Sequence, residues 1–104
     1  ENPQKKCFIT GKKIKDGDLS IDHVIPWSYI YSDDLWNLVF VSKSQNSSKG
    51  NRIPSEKMIE KLESRNKKLL TLLIKNDIQN NHSEELEFSI EKDLVRNFWI
   101  GCKG

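Results

Sequence analysis

A short run of alternation stopped by a proline limits this chain more than any other feature. Leu19-Ser20-Ile21-Asp22-His23-Val24-Ile25 alternates apolar and polar residues for several positions, the period-two signal of a strand. Pro26 lacks the N–H that a ladder needs and ends it. Thr10-Gly11-Lys12-Lys13 and Asp16-Gly17-Asp18 read as turns. Leu38-Val39-Phe40-Val41 is a short, fully apolar run, expected to form a second, buried strand. Ser42 is placed to cap a short helix through Lys49, with Gly50 as its stop. Strand, loop, strand and helix then fit within about 32 residues. The connecting segment Pro26 to Asn37 mixes Trp27, Tyr29, Tyr31 and Trp36 with Ser and Asp, the composition of an ordered functional loop.

A second helix is expected after Pro54-Ser55, with Ser55 as cap. Met58, Ile59, Leu62, Leu69, Leu70 and Leu73 form its apolar face, interrupted near Asn66. Asn76 to Ser83 is polar and reads as a loop. A last helix from about Glu84 presents Leu86, Ile90, Leu94, Val95, Phe98 and Trp99 inward. The expected fold is α+β: a small antiparallel hairpin with a crossing helix over residues 1–54, covered by a two-helix extension over 55–104. At 104 residues, 36% hydrophobic and 31% charged, the chain suits one globular domain rather than a disordered segment. It opens on Glu1 and a polar run rather than on Met, so it reads as a domain trimmed from a longer parent.

No apolar run approaches the ~20 residues of a membrane helix, and no signal-peptide pattern opens the chain. Cys7 and Cys102 sit near opposite ends, and one long-range pair is a poor reason to assign secretion, so a cytoplasmic location is the default. Net charge is only +2, but its distribution is uneven. Residues 16–42 carry five Asp and no Lys or Arg, a balance of −5, whereas 43–75 carry nine Lys or Arg against three Glu, a balance of +6. An acidic patch beside a basic one is what a metal site next to a phosphate-binding surface would need; a solvated helix with ordinary surface lysines gives the same pattern.

The candidate chemistry lies in Asp22-His23, in Asn37 fourteen positions after the His, in Asn46 nine further on, and in Lys49. Hydrolysing a phosphodiester requires a group that deprotonates water, and an unperturbed imidazole titrates at about 6.5, close to working pH. It also requires compensation for charge on the phosphate and the leaving oxygen, which a hard divalent cation held by a carboxylate and an amide oxygen supplies. Asp22 and Asn46 are suitable ligands. Adjacent side chains on an ideal strand point to opposite faces, so Asp22 and His23 serve one site only where the strand ends or bulges.

Ile21-Asp22-His23-Val24-Ile25-Pro26, Asn37-Leu38-Val39-Phe40 and Asn46-Ser47-Ser48-Lys49-Gly50 resemble the three segments of the HNH (ββα-metal) endonuclease motif. With Asn in the third position this is an H-N-N variant, similar to the HNH domain of the RNA-guided CRISPR nucleases. The resemblance implies DNA hydrolysis dependent on one Mg²⁺ or Mn²⁺. His23 would be the general base, Asp22 and Asn46 the metal ligands, and Asn37 the residue that orients the catalytic loop and buttresses His23. Lys49, with Lys43 and Arg52, would hold the phosphate backbone. Many HNH domains also bind a structural zinc through two C-x-x-C pairs. The corresponding positions are Cys7, Thr10, Ser42 and Gln45, so three of four ligands are missing and no structural zinc is expected.

Restriction, anti-phage defence, phage packaging, homing and CRISPR effectors all use HNH domains, and the motif does not choose among them. RNA stays open beside DNA as substrate, and a homodimer is one way to cut both strands. Two rival readings stand: a catalytically silent nucleic-acid-binding module on the same scaffold, and a structural domain using the charged helix at 55–75. Against the first stands the intact Asp22-His23 pair. Trp27 and Trp36 are assigned to loop and core packing rather than to base stacking, and His82 to an exposed loop.

Overall fold

Strand pairing begins where the alternation begins. The computed structural model describes residues 6–15, 17–26, 30, 33–45 and 53–103. Strand β1 (Leu19–His23) pairs antiparallel with β2 (Leu38–Ser42), from Leu19 opposite Ser42 to His23 opposite Leu38. Val39 and Val41 point into the core. Directly opposed residues share a face, so the inward face of β1 carries Ser20 and Asp22, and Ile21 is left 59% exposed opposite Phe40. The alternation marks the strand correctly, but its polar residues turn toward the core side.

A helical turn follows β2 at 43–45, and the Gln45 N–H donates to Ser42 Oγ at 3.3 Å. Ser42 therefore caps as expected; the continuation to Lys49 and Gly50 lies outside the described residues. Helix α1 (Glu56–Lys75) follows, capped by Ser55, whose side chain accepts from the Met58 N–H. Ile59, Leu62, Asn66 and Leu69 line its buried face. Asn66 is 1% exposed, so it belongs to that face and does not interrupt it. The helix closes at Asp77 (φ 55), with Ile78 N–H bonding Leu73 O and Asp77 N–H bonding Ile74 O, a Schellman-type stop with Asp where Gly is usual.

The last expected helix is divided, which makes the extension three helices rather than two. Its first part, α2 (Asn81–Glu91), starts ahead of Glu84 because Asn80 and Ser83 form a reciprocal capping box. It ends at Lys92, and Asp93 adopts φ 51, a left-handed conformation that Asp tolerates better than most residues. Then α3 (Leu94–Lys103) leaves in a new direction. Arg96 of α3 grips α1 through both Glu63 carboxylate oxygens (3.0 and 3.4 Å) and Glu56 (3.4 Å). Those carboxylates, Glu63 first, raise the Arg96 pKa. The Trp99 indole donates to Pro54 O at 2.7 Å, and Phe98 stacks on Trp36 with centroids 5.7 Å apart.

Cys7 and Cys102 are separate thiols, and Cys7 is buried. Burial pushes the Cys7 thiol up, but the N–H groups of Thr10, Ser42 and Ile9 and the Thr10 hydroxyl outweigh it, so its pKa is lowered. Thr10 and Ser42, two of the positions that hold zinc ligands in many HNH domains, thus lie beside the Cys7 sulfur. The Lys61 ammonium donates to Phe8 O and sits 4.9 Å from the Phe8 ring centroid, tying the N-terminal turn to α1. Among the described residues, no helix is long and apolar enough to cross a membrane.

Candidate active site

His23 is the last residue of β1, and the strand ends there. Of the two conditions under which neighbouring Asp22 and His23 could serve one site, the strand end is met. The path of the backbone beyond it is set by Asn37, the final residue of the 3-10 turn Leu35–Asn37. The Asn37 Oδ1 accepts from the Ile25 N–H at 2.8 Å, and its Nδ2 donates to Ile25 O at 2.9 Å. The Val24 N–H donates to Asn37 O at 3.0 Å. Asn37 is 1% exposed. A side-chain amide with a donor and an acceptor side by side matches the N–H and C=O of one residue, so it extends the ladder just past the strand. Asn37 therefore holds the backbone two residues beyond His23.

The His23 Nε2 meets Asp33 Oδ1 at 2.8 Å. An ionised carboxylate can only accept, so in this pair Nε2 carries the hydrogen and the ring lone pair lies on Nδ1. The His23 side chain is 27% exposed and that of Asp33 is 76% exposed. Sequence reasoning did not single out Asp33. It sits in the aromatic loop beside Asp34, which instead accepts from the Trp36 indole at 3.1 Å, and neither periodicity nor motif marks one Asp over the other. The usable signal was that a general base needs a partner for its second nitrogen.

Asp22 shares the inner face of the sheet with Val39, and its Oδ2 is shielded from solvent. Carboxylate oxygen is the ligand type a hard divalent ion prefers. The donor chemistry at Asp22 therefore fits such an ion. Asn46, the second expected ligand, lies outside the described residues, as do Lys49, Arg52 and Trp27. Among the described residues there is no cluster of three or more His, Cys, Asp or Glu side chains. Lys43 is exposed at the start of the helical turn after β2, where its N–H bonds Asp18 O at 2.9 Å. His82 is exposed on α2, 3.8 Å from Glu85. Trp36 is buried in the core, as assigned.

Residues 7–55 match the HNH endonuclease family. This stretch is an HNH-family domain. It is also similar to the "CRISPR-associated endonuclease Cas9 1" of Streptococcus thermophilus (strain ATCC BAA-491 / LMD-9), at 37% identity over 57 residues. That alignment covers 48% of this chain and 5% of the relative, so the chain corresponds to a small part of that protein's length. Helices α1 to α3 lie beyond the residues matched to the family.

Within the HNH domain the His23–Asp33 pair gives a graded expectation. An exposed pair contributes about 0.2–1 kcal/mol, so Asp33→Ala should slow strand cleavage by about 1.4- to fivefold. The deficit should shrink at high salt, as wild type loses the same screened interaction. Thermal stability should change by no more than about 1 kcal/mol. Cleavage rates at two ionic strengths check this; equal rates for both proteins at low salt would remove Asp33 from the site.

Proposed function

We propose that this domain is a metal-dependent endonuclease that hydrolyses DNA phosphodiester bonds. The observation that carries the reading is the placement of His23: at the strand end of an HNH-family domain, Nε2 on Asp33, with the following backbone fixed by Asn37. In that setting Nδ1 accepts a proton from the attacking water. Asp33 takes the Nε2 hydrogen bond, which holds the ring and steadies the imidazolium that forms. Asn37 keeps the strand end from drifting, so the base stays within reach of the water. One Mg²⁺ or Mn²⁺, held by Asp22 and Asn46, would supply the positive charge that offsets the phosphate and the departing 3′ oxygen. Lys49, Lys43 and Arg52 would bind backbone phosphates, contacts that carry no sequence information, so the domain alone should select sequence weakly.

The lone HNH site fits cutting of one strand at a time, as part of a longer cytoplasmic protein whose other domains choose the target. Structural zinc has no part in this reading, and one zinc per chain in metal analysis of the purified domain would contradict that. The decisive test incubates purified domain with supercoiled plasmid in Mg²⁺, in Mn²⁺ and in EDTA. Relaxed circles that form with the ion and not with EDTA support the nuclease. Salt-sensitive retention of DNA that is never cut would instead make it a binding module.

A further inference from the structure

The catalytic loop of this domain is not held from within the family-matched segment alone. The Arg65 Nη2 donates to Leu35 O at 3.1 Å and to Trp36 O at 3.4 Å. Its Nε donates to Asn66 Oδ1 at 3.0 Å, and Asn66 Nδ2 donates to Trp36 O at 3.0 Å. Two polar side chains of α1 thus converge on the two carbonyls immediately before Asn37. Neither arrangement is a default for a core helix. Asn66 occupies a fully buried position on a face otherwise built from Ile59, Leu62 and Leu69. Arg65 is sufficiently buried that desolvation lowers its pKa to about 10. A guanidinium withdrawn from water needs acceptors, and here backbone carbonyls supply them.

The 3-10 turn explains why donors are wanted there. The Leu38 N–H already closes the turn on Leu35 O, so the carbonyl left without a partner in the turn is that of Trp36. Apolar side chains at 65 and 66 would leave the Trp36 carbonyl facing the core unmet, and the turn would be free to shift. Any shift of Trp36 moves Asn37, the next residue, and with it both hydrogen bonds to Ile25. Phe98 of α3 stacks on the Trp36 ring of the same turn.

We infer that Arg65 and Asn66 are positioning residues for the catalytic loop: by holding the carbonyls of Leu35 and Trp36 they fix Asn37, which fixes the backbone after His23. The helical extension is then a working part of the nuclease, not only a cover for its core. This rests on the nuclease reading for its consequence in activity, but the link from α1 to Ile25 is measurable without any cleavage.

The test uses the full domain with Arg65→Ala, the milder Arg65→Lys, which keeps the charge but not the fork, and Ile59→Val as a core control that touches none of these hydrogen bonds. Amide hydrogen exchange reads the Ile25 N–H against amides of α2 in the same molecule, and plasmid nicking gives the rate at saturating DNA and KM. In Arg65→Ala the Ile25 amide should exchange about tenfold faster while α2 amides keep their protection, and the saturated rate should fall about tenfold with KM nearly constant. Arg65→Lys should fall between this variant and wild type; Ile59→Val should move stability alone. Ile25 protection that changes only in step with α2 would overturn the inference, as would nicking by Arg65→Lys and Arg65→Ala that follows their melting temperatures along the line set by Ile59→Val. If wild type does not nick, the nuclease reading fails, and Ile25 exchange alone decides whether α1 positions the loop.

Discussion

Replacing His23 with Ala is expected to lower ion-dependent plasmid nicking by about 10²–10⁴-fold, the usual contribution of a positioned general base. The protein should remain folded. His23 is the final residue of its strand, and its Nε2 contacts a carboxylate that is largely in solvent, so losing that pair costs the fold little. An exposed pair of this kind contributes about 1 kcal/mol or less. Activity and stability should therefore separate widely. Nicking time courses beside thermal melts of the same preparations measure both, and a variant that still nicks within a few fold of wild type would take the base role away from His23.

Asn37→Ala is expected to do the opposite, damaging fold and activity together. Truncation leaves the N–H and C=O of Ile25 without their partners in a buried setting, at a cost of about 3 kcal/mol. For a domain of this size that lowers Tm by about 15 °C. Asn37→Asp is the more informative substitution. It keeps an acceptor for the Ile25 N–H but presents a carboxylate oxygen to Ile25 O, so it should be at least as damaging as Ala despite its near-identical shape. If Asp were tolerated and Ala not, the donor half of the amide would have no role. Melting curves give the stability, and nicking at a temperature where each variant is fully folded gives the activity.

The motif singled out His23, Asn37 and Asp22 as candidates because the chemistry needs fixed residue types at fixed spacings. The strands were legible as well, since an apolar run and an alternating run leave few other folds open. Which face of β1 turns inward was not. Alternation alone does not say which face is covered; register against Val39 and Val41 leaves Ile21 in solvent, and register is a property of two strands together. Asn66 looked like a gap in an apolar face because one helix cannot show that a carbonyl thirty residues earlier waits for its amide. Asp33 was hidden for a related reason: its role exists only where the loop returns to His23. The break at Asp93 carried no Gly or Pro to announce it, and the run of apolar positions continues straight through.

That break has a consequence for how the molecule closes. At about 1.5 Å of rise per residue, an uninterrupted helix would carry the far end of α3 roughly 18 Å beyond the end of α2. Phe98 would then leave Trp36, Trp99 would leave Pro54, and Arg96 would leave Glu63. The apolar face of α3 would be buried again only by the same pocket on a second molecule, the geometry of a domain-swapped dimer. One left-handed aspartate thus lets the chain bring α3 back to complete its own core.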